Sequence, residues 1–231
     1  MKSFALFLPM LVAGSGLAQS GHWEGKIQAP GHEMSVSADL NKNEKGEWVG
    51  SFGMPEQKLT GMALSNIAVT DKTVAFEVAG VPGKPIFDGK LSDDGKSLAG
   101  TLNQGAATFP FTMKRTGEAR VEVAAKSTAL AKEFQGDWEG VIDSGRPLRI
   151  VLHLTQAADG TGSGSIDSPD QNANGIGITT ITQAGKNLKF EIKVIQGSFA
   201  GDLNADGTEI KGMWAQGPSS VPLIFKRAAA K

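Results

Sequence analysis

The chain states nearly the same pattern twice, and that duplication restricts its fold more than any single motif does. Gly21-His22-Trp23-Glu24-Gly25 returns as Gly136-Asp137-Trp138-Glu139-Gly140, and Lys114-Arg115 near the end of the first copy returns as Lys226-Arg227. The copies stay colinear between these ends. Met34, Val36, Ala38 and Leu40 match Leu148, Ile150, Leu152 and Leu154, and Phe76-Glu77 matches Phe190-Glu191. Asp94-Gly95, Gln104-Gly105 and Pro110 match Asp206-Gly207, Gln216-Gly217 and Pro222. A repeat of about 95 residues is the size of one small domain, so the sequence predicts two units of one architecture.

Within each copy the apolar period is two, the spacing of a strand with one buried face. Met34-Ser35-Val36-Ser37-Ala38-Asp39-Leu40 alternates cleanly, as does Leu98-Ala99-Gly100-Thr101-Leu102. Asp94-Gly95, Gly185-Lys186 and Asp206-Gly207 punctuate these runs and supply the positive φ of tight hairpins. The spacing predicts about eight short strands per copy, and a meander of that length tends to close on itself. The expected fold class is all-β: two tandem compact eight-stranded up-and-down antiparallel β-barrels. Ala124, Ala125, Ala129, Leu130 and Ala131 give residues 116–134 helical propensity, so a short helical linker is expected between the barrels. The copies then occupy residues 19–115 and 135–227, with a tail at 228–231.

Residues 1–18 read as an export leader. Lys2 precedes an apolar run at residues 4–12, and Gly16-Leu17-Ala18 offers small residues for cleavage. The run is too short to span a bilayer, so the expected product is soluble in the periplasm or outside the cell. The chain has no cysteine, which excludes lipidation at a lipobox, disulfides and thiol catalysis. Its net charge is −1 with no dense Lys/Arg run, which argues against nucleic acid as a partner.

Gly21-x-Trp23 with Arg115, and Gly136-x-Trp138 with Arg227, resemble the signature of the calycins, the superfamily of lipocalins, fatty-acid-binding proteins and avidins. The resemblance implies calycin-like barrels whose first-strand Trp is covered by a basic residue of the last strand, so Trp23, Arg115, Trp138 and Arg227 are expected to be structural. A second resemblance covers both copies and is clearest in the second. Ser168-Pro169-Asp170-Gln171 and Gly212-Met213-Trp214-Ala215-Gln216-Gly217 are similar to a β-domain found ahead of exported serine hydrolases of the α/β-hydrolase type. It implies a hydrolase-associated role, although no hydrolase accompanies the domain in this sequence.

Chemistry is sparse. No Gly-x-Ser-x-Gly nucleophile elbow, phosphate loop or dinucleotide fingerprint occurs, and Gly162-Ser163-Gly164-Ser165 sits on an expected strand. Strand parity turns His22 and His153 to solvent and leaves His32 at a strand entrance, so no catalytic, cofactor or metal site is expected. The paired carboxylates Glu24/Glu139, Glu56/Asp170 and Glu77/Glu191 read as outward or loop residues of the scaffold.

Specific binding is therefore sought where the second copy departs from the first. Trp214 replaces Leu102 at an inward position, Gly162 and Gly164 replace Trp48 and Gly50, and Asp170, Gln171 and Gln216 gather polar groups toward a rim. An aromatic wall with a few polar groups describes a small-ligand site. The expectation is a non-catalytic binding module for a small apolar ligand or a protein partner. The alternative is an accessory β-domain of an exported serine hydrolase.

Overall fold

The computed structural model describes residues 19–122, 125–143 and 145–229, so the expected export leader lies outside the described residues. In the first copy β1 (Gly21–Ala29), β2 (His32–Lys42), β3 (Trp48–Met54), β4 (Leu59–Val69), β5 (Thr73–Val78), β6 (Ile86–Leu91), β7 (Ser97–Gln104) and β8 (Ala107–Gly117) follow one another as an antiparallel meander. β8 returns to β1, with Arg115 opposite Trp23, and closes the barrel. The period of two becomes burial directly. Val74, Phe76 and Val78 of β5 point inward while Thr73, Ala75 and Glu77 do not. Phe87 sits among Phe52, Phe76 and Phe111 at ring separations of 4.9 to 5.2 Å, and this aromatic knot fills the interior.

The second copy corrects the expectation of two eight-stranded barrels. It forms a nine-stranded curled sheet in the order β12-β11-β10-β9-β17-β16-β15-β14-β13. The strands are β9 (Gly136–Asp143), β10 (Pro147–Gln156), β11 (Gly162–Ser168), β12 (Ala173–Gly177), β13 (Thr180–Ala184), β14 (Asn187–Ile192), β15 (Gly197–Leu203), β16 (Glu209–Gln216) and β17 (Ser219–Arg227). Its two edges are consecutive in sequence, because the counterpart of β4 is broken in two. Ile178 N–H still donates to Gly164 O on the β11 side (3.0 Å), whereas Thr179 N–H donates to Glu191 O beside β14 (2.7 Å). The chain changes partners between adjacent residues, and the sheet opens there.

That opening also explains why the linker is not helical. Among the described residues its helical content is a single 3-10 turn at Lys132–Phe134. The residues before that turn run as a strap along the open edge. Thr128 N–H donates to Ile181 O (2.9 Å) and Gly162 N–H donates to Thr128 O (2.7 Å). Ile181 N–H reaches Ser127 Oγ (3.0 Å), Gln183 N–H reaches Thr128 Oγ1 (2.7 Å), and Ala129 bridges Thr161. A buried amide left unpaired costs about 1–3 kcal/mol, whereas residue-to-residue differences in helix propensity amount to about 0–0.7 kcal/mol. The edge wins over the alanines. Leu130 and Phe134, at the far end of the strap, are buried in the core of the second copy.

The copies meet along one seam. Gly177 N–H, at the end of β12, donates to Gly80 O in the β5–β6 loop (2.9 Å). The 3-10 turn Lys193–Ile195 rests on β4: Lys193 Nζ donates to Gly61 O (3.0 Å), and Val194 packs against both cores. Gln196 Nε2 adds a bond to Gln57 O (3.2 Å), and a cavity of about 100 Å³ remains beside Met62 and Ile178.

Candidate functional site

The Gly-x-Trp residues lie at the ends of the cores. Trp138 is fully buried, its Nε1 donates to Phe134 O (2.8 Å), and the Arg227 guanidinium stands 4.2 Å from its ring. Arg227 also ties down the chain leading into β9, donating to Gln135 O (3.0 Å) and Glu133 O, and reaches Gly207 O in the β15–β16 turn (3.0 Å). In the first copy Trp23 is equally buried and donates to Gln19 O (3.2 Å). Arg115 reaches Glu118 there (3.5 Å), and its Nε has no hydrogen-bond partner among the described residues.

The residues singled out in the second copy do not converge. Trp214 is buried against Phe190 and lies so close to Gly197 that a β-carbon there would stand 2.8 Å from its ring. The space beside Gly162 is taken by Thr128 O of the strap and by Ile181, and that beside Gly164 by Ile178 and Leu154. Asp170 accepts two bonds from the Arg149 side chain (2.9 and 2.6 Å) and one from its backbone N–H (2.9 Å). Gln171 accepts from Ser168 Oγ (3.1 Å), and Gln216 Nε2 donates to Ile195 O (2.9 Å). Asp170 ties its turn to β10, Gln171 closes that turn, and Gln216 holds the Lys193–Ile195 turn. Phe190, Phe199, Trp214 and Phe225 fill this interior as the phenylalanines fill the first.

The outer faces carry the polar features. His22 on β1 bonds Asp39 on β2 (2.9 Å), and at the same cross-strand position Asp137 on β9 bonds His153 on β10 (2.8 Å), with the partners exchanged. Carboxylates face both nitrogens of each ring: Glu24 completes the set for His22 (3.5 Å) and Asp167 for His153 (3.1 Å). Both nitrogens of His153 bond carboxylates, so it is a cross-strand clasp and not a dyad awaiting a serine. His22 makes the corresponding bond to Asp39, with Glu24 only in charge contact at its other nitrogen. The first clasp lines a groove of about 660 Å³ beneath residues 116–122, where Arg120 N–H donates to Asp39 (2.7 Å) and Glu122 N–H to Ser51 Oγ (3.1 Å). Among the described residues no group of three or more His, Asp or Glu is placed to hold a metal ion. His32 is exposed at the start of β2.

For His153, partial burial is the largest single influence and favours the neutral ring. Hydrogen bonds to Asp137 and Asp167, with their charges, outweigh it and hold the group above the ordinary value of 6.5. A pKa raised by folding stabilises below the unfolded value, and that contribution is lost as pH rises through the folded one. The melting-temperature gap between the wild type and His153→Gln should therefore be wider at about pH 5.5 than at about pH 8.5. Equal gaps in a calorimetric comparison would remove the clasp from the stability of the second copy.

One outer surface is apolar. Val141 on β9, Met213 on β16 and Ile224 on β17 are 49%, 45% and 44% exposed. The register that sets Lys226 against Glu139 places Ile224 beside Val141, and Met213 faces Pro222. Val141, Ile224 and Pro222 border, with Val151 and Pro169, a groove of about 650 Å³ rimmed by Glu139, Arg149 and Lys226. The corresponding positions of the first copy, by shared register, are polar: Lys26 for Val141, Ser37 for Val151, Thr101 for Met213 and Thr112 for Ile224. These are four polar-to-apolar exchanges on one face.

No protein-family model matches this chain, and no curated protein matches it. Two solved structures are similar to it at a low level. One, described as a putative outer membrane protein from Bacteroides fragilis, is 12% identical with a TM-score of 0.30, over 92% of this chain and 99% of that one. The other, a protein of unknown function from Nostoc punctiforme in the DUF3598 family, is 13% identical with a TM-score of 0.27, over 92% and 97%. Likeness at this level carries no argument about function. Among the described residues no helix is long and apolar enough to cross a membrane, a statement that does not extend to strands.

Inward positions do not reveal the apolar face, because it is built from outward residues. Its signal is a cluster: Val141, Val151, Met213 and Ile224 break the outward polar parity on four adjacent strands, at positions that are polar in the first copy. Ile86, an exposed apolar residue of the first copy, lies instead on β6 with Ser198 as its counterpart.

Proposed function

We propose that this protein is an exported, non-catalytic binding module that docks a protein partner on the outer face of β10, β9, β17 and β16. The observation that carries this reading is the row of apolar residues at positions that are polar in the first copy. Apolar surface left in water by a fold whose duplicate shows how to avoid it points to a partner that covers it. The aromatic filling of both interiors supports a protein partner over a small apolar ligand held inside. Export rests on the leader-like residues 1–18.

A photo-crosslinking amino acid placed singly at Val141 and Ile224 tests the reading in the cells that make the protein, with Lys26 and Thr112 as controls. Polypeptide adducts are expected from the two second-copy positions and not from the controls. Adducts from neither pair, or equally from both, would sink it. Mass spectrometry of an adduct would identify a serine hydrolase if one is the partner.

A further inference from the structure

The charges around the apolar face have a pattern that selects its occupant. Outward side chains step diagonally down the sheet as an apolar band: Val151 on β10, Val141 on β9, Ile224 and Pro222 on β17, Met213 on β16. Glu139 and Lys211 lie on one side of this band, Arg149 and Asp143 on the other. Adjacent strands are about 4.8 Å apart and successive outward residues about 6.8 Å apart, so the band crosses the strands at roughly 45°.

A two-fold axis laid along the band exchanges its sides. On that flattened grid Glu139 reaches the position of Arg149 in the second molecule, and Lys211 reaches that of Asp143. Each of these four charges then meets its opposite, whereas Lys226, on the same side of the band as Glu139, falls about midway between Arg149 and Pro147 of the second molecule. Arg149 is held by Asp170 but remains 67% exposed in its side chain, so the guanidinium can accept a second carboxylate. A face that is apolar on the axis and charge-complementary across it has the self-complementary layout of an isologous interface.

We propose that the occupant of this face is a second copy of the same chain, related by a two-fold axis along the Val151-to-Met213 band. This rests on the reading of the outer face of the second copy as a docking surface. The patch spans four strands by roughly 20 Å, or about 400 Å² per molecule, half of the roughly 800 Å² per partner of standard stable interfaces. The dimer is therefore weak, assembling at micromolar concentration and dissociating on dilution.

Sedimentation equilibrium of the full chain from about 1 to 200 µM tests this, with circular dichroism and melting temperature as controls for folding. The wild type should dimerise reversibly, and the pair Val141→Lys with Ile224→Thr, which restores first-copy residues, should stay monomeric while folded. Glu139→Arg and Arg149→Glu should each weaken self-association by about tenfold or more, since each repels itself twice across the axis. Mixing the two variants should restore association. In the mixed dimer the introduced arginine of one chain meets the introduced glutamate of the other, and the native Arg149 of the first meets the native Glu139 of the second. Loss of an internal Arg149–Asp170 bond alone cannot be rescued by mixing. A wild type that stays monomeric at the highest concentration, a dimer insensitive to the apolar pair, or a mixture no better than its components would each overturn the proposal. If crosslinks from Val141 and Ile224 reach a different polypeptide while the chain stays monomeric, docking at this face survives and self-association does not. If neither crosslinks nor dimers form, both fail.

Discussion

Trp138→Ala is expected to destabilise the second copy by about 3–5 kcal/mol, enough to melt it well before the first. Three losses coincide at that position. The ring is fully buried, so its removal leaves a cavity as well as lost transfer energy. The bond from Nε1 to Phe134 O goes with it, releasing the 3-10 turn that carries the buried Phe134. Arg227 keeps its carbonyl partners but loses the ring beneath it, a contact of about 0.5–2 kcal/mol. Guanidinium unfolding should resolve two transitions in the variant, with near-ultraviolet dichroism of the remaining tryptophans assigning the earlier one to the second copy. A loss under about 1 kcal/mol would mean that neighbouring side chains collapse into the gap, and that the Trp–Arg pair is not what closes this end.

Gly177→Val should act on the seam and not on either core. A β-carbon at Gly177 would stand 2.5 Å from Gly80 Cα, and backbone cannot step aside as a flexible side chain can. Overpacking of this kind costs about 1–3 kcal/mol, comparable to what a few hydrogen bonds and one shared valine contribute to the seam. The seam should part, taking the bonds of Lys193 to Gly61 and Gln196 to Gln57 with it and exposing Val194. Small-angle scattering would register a larger radius of gyration, and the melting temperature of the first copy would cease to depend on mutations in the second. An unchanged radius would show that the β5–β6 loop yields and that the Gly80–Gly177 contact does not hold the copies together.

Repeat alignment and parity carried the strand order, the hairpin turns and most inward residues, because each depends on local chemistry repeated twice. What escaped was where local chemistry lost to context. The segment matching β4 keeps its apolar residues and its change of parity: Met62 and Leu64 give way to Ile67 as Ile176 and Ile178 give way to Ile181. Yet β4 absorbs the change in a bulge with Asn66 at positive φ and stays whole, whereas the second copy breaks into β12 and β13. The switch is legible in the sequence, but both copies carry it, so it does not tell the bulged strand from the broken one. The alanines of the linker promised a helix, and no propensity scale could have announced the open β13 edge whose amides claimed Ser127 and Thr128 instead. The site was misplaced for a related reason. Trp214, Gly162 and Gly164 depart from the first copy, but these departures compensate one another within a filled interior, whereas Val141 and Ile224 depart with nothing in the chain to answer them.

The strap separates two notions of a module that the duplication would otherwise join. The unit copied in the gene runs from one Gly-x-Trp to the next terminal arginine, but the unit that folds in the second half begins earlier, at the residues that seal β13 and bring in Leu130 and Phe134. The two halves are therefore not interchangeable parts. The first closes on itself, whereas the second borrows its last wall from the chain that ties it to its twin. Recombination that cuts at the repeat boundary would hand on an unfinished sheet, which ties the second half to its place in this order.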